Sequence, residues 1–150
     1  MSGHRFTSAS DALSFLQAGN ATITAVSIAT GVRFTYRVRE SNDGKVLFVS
    51  LLNGPGNETD YTYMGIIRGS KFTRTNNSKV TQDAPSYKAF CWVHQQLSMD
   101  RIPTTLEIWH EGRCGRCNRL LTVPESIAAG IGPECSKHAR RASPQFAMAV

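Results

Sequence analysis

Apolar and polar positions along this chain keep two different periods, and the switches between them divide it. Leu13, Phe15 and Leu16 give one apolar side to residues 8–18, where Ser8 and Asp11 supply a helix start and Gly19 a stop. From Ala21 the pattern turns to strands. Residues 21–29 are rich in β-branched side chains, and Thr30-Gly31 supplies a turn. Phe34, Tyr36 and Val38 then alternate with Arg33, Thr35, Arg37 and Arg39 at a period of two. Asn42-Asp43-Gly44 is a hairpin signal ahead of a strand over 45–52, and 53–60 is a Gly- and Pro-containing loop. Strands over 61–68 and 71–75 follow, joined by Gly69-Ser70. Such short connections predict an antiparallel meander, since parallel pairing needs long crossovers.

The helical period returns after Pro85. Phe90, Val93 and Leu97 recur at i, i+3 and i+7, predicting an amphipathic helix over 86–98 that covers one face of the meander. Pro103 interrupts the chain, and 104–109 reads as a last short strand leading into a cysteine-rich segment. The predicted architecture is therefore α+β. An antiparallel meander flanked by helices fills residues 1–103, a zinc-ribbon-like module occupies 104–141, and 142–150 is a loose tail.

That segment carries the clearest chemistry. Cys114-Gly115-Arg116-Cys117 places two thiolates on one tight turn, and Cys135 follows seventeen residues after Cys117. Such a turn can present both sulfurs to one tetrahedral ion. Between the cysteines, Thr122-Val123-Pro124-Glu125 reads as a capping box opening a short helix, Gly130 ends it, and Gly132-Pro133 turns the chain back. Two histidines are placed to complete the set: His138, which forms Cys135-x-x-His138, and His110, four residues before Cys114. Four protein ligands make a structural zinc site, whereas metal catalysis would leave one position open.

The run Trp109-His110-Glu111-Gly112-Arg113-Cys114-Gly115-Arg116-Cys117, then Leu121-Thr122, Pro124-Glu125-Ser126-Ile127 and Gly130-Ile131-Gly132-Pro133-Glu134-Cys135, resembles a small Cys-rich domain of unknown function. That domain recurs in phage and bacterial proteins. Upstream, Arg33–Val38, Asp60–Gly65 and Lys88-Ala89-Phe90 are similar to its longer members. The resemblance implies a zinc-binding protein of phage or mobile-element origin and supplies no activity. It also implies His110 as the fourth ligand, with His138 the alternative. Cys91 and Asn118 depart from the resembling pattern, and Cys91 is not carried over as a ligand.

Composition and charge bound the rest. Hydrophobic residues make up 41% and charged residues 19%, a globular balance rather than a disordered one. There are 17 Lys and Arg against 11 Asp and Glu, with no block of like charge, so the excess is a diffuse basic surface favouring polyanionic partners. Arg33, Arg37 and Arg39 share one strand face, with Arg68, Lys71 and Arg74 on neighbouring strands and Tyr36, Tyr61, Tyr63 and Phe72 close by. Cations beside stacking rings suit single-stranded nucleic acid. The opposing reading turns the aromatics into the core and leaves the arginines as a solvated face.

The N-terminus has no secretory pattern, and no run approaches a membrane span, so a cytoplasmic protein without membrane contact is expected, the host cytoplasm if phage-encoded. Three Asn-x-Ser/Thr sequons then count as chance matches. No catalytic residues are assigned. Cys91 and His94 sit at i and i+3 without a third orienting residue, and Gly54-Pro55-Gly56 lacks the Lys-Ser/Thr ending of a phosphate loop. The expected function is non-enzymatic nucleic-acid binding with zinc as cofactor. The alternative is a protein-interaction module that inhibits or redirects a host or defence complex.

Overall fold

The computed structural model describes residues 4–53, 61–117, 121 and 124–131. Its elements are β1 (His4–Arg5), α1 (Ala9–Leu16), β2 (Asn20–Ser27), β3 (Arg33–Glu40), β4 (Leu47–Leu52), β5 (Tyr61–Arg68), β6 (Lys71–Thr73), α2 (Pro85–Ser98), β7 (Leu106–His110) and α3 (Pro124–Ala129). All seven strands form one antiparallel sheet in the order β1-β7-β2-β3-β4-β5-β6.

This corrects the expected architecture. The meander is present from β2 to β6, but the described residues form mainly a seven-stranded sheet with few, short helices, and among them no zinc-ribbon module stands apart from it. The strand assigned to that module is β7, which lies inside the sheet. It pairs with β2 from Ile23↔His110 to Ser27↔Leu106 and with β1 through His4↔His110 and Arg5↔Trp109. An apolar Leu106-Glu107-Ile108-Trp109 alternation can form a ladder only against another strand, and the open edge of β2 provides it. Thr122 and Val123 of the expected capping box, the 142–150 tail and the Gly54-Pro55-Gly56 turn lie outside the described residues.

Local signals explain the elements that match. The Ser8 hydroxyl accepts the Asp11 amide at 3.3 Å and caps α1. In the β3–β4 hairpin, Asp43 accepts the Lys45 amide at 3.0 Å and the Ser41 hydroxyl at 2.6 Å, while Gly44 takes the left-handed conformation (φ 71°). Helices α1 and α2 pack together on one face of the sheet. The core between them and the strands contains Phe15, Leu16, Ile23, Tyr36, Val38, Val49, Met64, Ile67, Phe90, Val93, Leu97 and Ile108, all nearly solvent-free. At its centre Tyr36 meets Phe90 edge-on at 4.9 Å, and its buried hydroxyl donates to the Ser86 carbonyl at 2.7 Å.

The pairing register identifies the other face. Residues opposite one another point to the same side, so Arg39↔Phe48↔Ile66 and Arg37↔Ser50↔Tyr63 stand away from the helices, as do Val26↔Arg33 and Leu52↔Tyr61. A bulge at Val49/Ser50 makes this possible. Met64 and Gly65 both lie on the helix side, which shifts Tyr63 and Tyr61 to the outer side. Gly65 is required there, because a β-carbon would collide with the Thr73 carbonyl oxygen.

Candidate functional site

Two regions hold the residues singled out by sequence: the outer face of the sheet and the C-x-x-C turn.

On the outer face, Arg33 and Arg39 are exposed and Arg37 is half-buried, its guanidinium 3.9 Å from the Tyr61 ring centroid. Arg68 and Lys71 face each other across the β5–β6 turn and belong to the same side. Arg74 does not join them. Its Nε donates to the Val80 carbonyl at 3.0 Å, beyond the end of β6. Among the aromatics, Tyr36 and Phe72 turn into the core, as the solvated-arginine reading required for Tyr36, whereas Tyr61 and Tyr63 lie outward.

Two further rings share this face. Phe48 is 43% exposed and meets Tyr63 edge-on at 6.1 Å; Trp109 lies opposite Thr24. Alternation held the signal for both, since Phe48 precedes buried Val49 and Trp109 lies between buried Ile108 and His110. Charge is uneven across the sheet. At the β1–β7 end, Glu107 accepts from Arg5 Nη1 and from Trp109 Nε1, each at 3.2 Å, and offsets the cation there. Toward β3, β4 and β5 the cations dominate. An open cleft of about 900 Å³ lies at the hairpin end, lined by Arg39, Glu40, Asp43, Lys45, Phe48 and Arg68 among others. Its Asp43 carboxyl is held below the usual carboxylate range by the Ser41 hydroxyl and the Lys45 amide, with a smaller contribution from Arg68.

The C-x-x-C turn is built against α1. Gly115 donates to the Gly130 carbonyl at 2.8 Å and accepts the Asn20 amide at 2.7 Å. Both glycines close on one ring: a β-carbon on Gly115 would lie 2.6 Å from Phe15 Cδ1, and one on Gly130 2.5 Å from the same atom. Cys114 is buried in a small cluster with Leu121 and Ile131, and its sulfur accepts the Arg116 amide at 3.4 Å. Cys117 is exposed. One turn thus carries two sulfur donors of the type that holds a tetrahedral metal ion, so this pair fits the first half of a thiolate site. Cys135 and His138 lie outside the described residues. Among the described residues, no three His, Cys, Asp or Glu side chains gather into a metal-binding set.

His110 makes two backbone contacts through its ring. It is buried on the helix side among His4, Phe6 and Phe15, with ring centroids 4.8–5.4 Å away. Its Nδ1 accepts the Gly112 amide at 3.0 Å, and its Nε2 lies 2.6 Å from the Ile127 carbonyl. These partners require the neutral Nε2–H tautomer and occupy both ring nitrogens. Burial lowers its pKa, against the opposing effect of the Ile127 bond. The imidazole thus ties β7 to α3.

Cys91 and His94 share no hydrogen bond in the described structure. Burial raises the Cys91 thiol pKa, against the lowering effect of a bond from Tyr87. Burial also lowers that of His94, whose ring stacks on Phe90. A raised thiol pKa opposes nucleophile activation. No helix of the described residues is long and apolar enough to cross a membrane.

No match was found among curated proteins or among solved structures. The model of a family of unknown function, DUF6011, matches residues 107–140, a span that begins inside β7 and takes in His110, all three C-terminal cysteines and His138.

Proposed function

We propose that this is a non-enzymatic nucleic-acid-binding protein of phage or mobile-element origin, whose C-terminal segment is held by one structural zinc ion. The observation that carries the reading is a sheet face that no helix of the described residues covers. Both α1 and α2 lie on one side, leaving Arg33, Arg37, Arg39, Arg68 and Lys71 beside Phe48, Tyr61 and Tyr63 on the other. Cations give salt-dependent attraction to phosphates, and rings give stacking platforms. For the metal, Cys114, Cys117 and Cys135 supply three thiolates. His138 is the better fourth ligand, because the His110 nitrogens are already bonded to backbone. Bound there, zinc would cross-link the turn to the chain beyond α3 and contribute to folding.

The test is fluorescence anisotropy of the zinc-loaded protein with single- and double-stranded oligonucleotides across a salt series. Arg33→Glu with Arg39→Glu should abolish most binding while circular dichroism stays unchanged, since exposed arginines contribute about 0.5 kcal/mol or less to stability. Each lost phosphate contact should flatten the log–log salt slope by about 0.9 for duplex and about 0.7 for single strands. A folded wild-type protein that binds neither at low salt would refute the reading and favour the protein-interaction alternative.

A further inference from the structure

Resting on that reading of the open face, we propose that its hairpin end is a nucleotide subsite for single-stranded nucleic acid, with a base on Phe48 and the adjoining phosphate among Arg39, Lys45 and Arg68. The cleft is a concavity on this face, and these four side chains line it. Arg39 and Phe48 are cross-strand neighbours.

Phe48 is the platform by elimination among the outer rings. Tyr61 is capped by the Arg37 guanidinium. Tyr63 bonds Thr75 through its hydroxyl at 2.9 Å and presents its ring toward Phe48. Trp109 sits beside the Glu107 carboxylate, at the end least suited to a polyanion. Among the described outer rings, Phe48 alone combines 43% exposure with cationic neighbours in a cleft. A large apolar ring left this exposed between cations gains from a π-face that also carries a phosphate.

The two acids of the cleft, Glu40 and Asp43, offset part of this field and leave the cations Arg39, Lys45 and Arg68 in excess. Asp43 is tied into the hairpin by Ser41 and Lys45. Glu40 pairs with Leu47 on the helix-side register, close to Gly19 and Gly44. From the cleft, Arg37 and Arg33 continue along β3 at even spacings, two and then four residues apart, on the same face. One two-residue step along a strand is about 6.7 Å, similar to the phosphate step of an extended single strand. A duplex keeps its base faces stacked inside and would offer this surface its backbone and groove edges but no base face for Phe48.

The experiment is anisotropy of the full chain with three labelled probes of equal length: oligothymidylate, an abasic strand and a blunt duplex. Oligothymidylate should bind tighter than either of the others. Phe48→Ala should weaken its binding by about tenfold or more, leave the abasic strand unchanged, and be rescued by Phe48→Trp. Equal binding of abasic and base-bearing strands, or full affinity in Phe48→Ala, would overturn the subsite while leaving the nucleic-acid reading intact. Absence of binding to all three probes would overturn both.

Discussion

Replacing Gly115 by alanine tests whether the C-x-x-C turn is welded to the core. The added methyl would lie 2.6 and 2.8 Å from Phe15 Cδ1 and Cε1 and 3.0 Å from the Phe15 carbonyl oxygen. Ordinary van der Waals contact is about 3.5–4 Å, so ring or turn must yield by roughly an ångström. The ring has little room. Phe15 is 2% exposed, and Phe6 and His110 sit at centroid distances of 5.2 and 5.4 Å. Moving the turn instead strains its bonds to Gly130 and Asn20. Overpacking of this kind costs about 1–3 kcal/mol, and a weakened hydrogen bond adds about 1 kcal/mol. Reduced freedom of the unfolded chain returns about 0.4–1 kcal/mol. The net loss should be near 2 kcal/mol, or about 4–8 °C in Tm for a chain of this size. Urea denaturation of Gly115→Ala, Phe15→Leu and the double variant measures it. In the Phe15→Leu background the added methyl should cost at least 1 kcal/mol less. A neutral Gly115→Ala, or an equal cost in both backgrounds, refutes the contact as the cause.

Three other outcomes follow from single interactions. Tyr36→Phe removes the buried hydroxyl that donates to the Ser86 carbonyl at 2.7 Å and should cost about 1–2 kcal/mol by urea denaturation, with the fold unchanged; no loss would show that bond to be without net value. His94 is buried with its pKa lowered below 6.5, so the unfolded state binds more protons and stability should fall as pH drops below about 6.5. The slope is at most about 1.4 kcal/mol per pH unit per histidine. His94→Leu should shrink the stability difference between pH 7.5 and pH 5.5, and a variant with the wild-type difference would exclude His94 as its source. In competition with a chromophoric chelator, His138→Ala should release zinc more readily than His110→Ala; the reverse order would restore His110 as ligand.

The legible parts of this fold are those decided by neighbours in sequence. The Ser8 cap, the Asn42-Asp43-Gly44 hairpin, the alternation across Arg33–Arg39 and the Phe90/Val93/Leu97 stripe each stand where their local chemistry requires. Pairing between distant strands was not legible. Nothing in Leu106–His110 itself says that it lies against β2 with two N-terminal residues beyond it. The bulge was equally hidden. Counting back by twos from buried Ile67 turns Tyr63 and Tyr61 inward, but the doubled Met64-Gly65 opposite Val49 reverses them. The cysteine spacing pointed to the turn that forms, whereas the tie from His110 to Ile127 depends on tertiary contacts that spacing cannot encode.

That tie bears on whether the segment over 104–141 can stand alone. The family match begins at residue 107, within β7, as though the unit carried its own strand. In this chain β7 is bonded on one side to β2 and on the other to β1. Gly115 and Gly130 close on Phe15 of α1, and the Asn20 amide holds the Gly115 carbonyl. Cut from residues 1–103, the segment would lose both strand partners and the Phe15 ring on which Gly115 and Gly130 close. The second cluster, Cys114, Leu121 and Ile131 with Ala18 and Ile127, would lose Ala18 as well. A lone zinc ion can order a short peptide, so the outcome separates two sources of stability. A peptide of residues 104–141 should bind zinc through its thiolates yet show a collapsed amide range by NMR and no strand signal by circular dichroism. Dispersed amide resonances from the zinc-loaded peptide would mean that the metal, and not the sheet, organises the segment, and that the packing around Phe15 is secondary to it.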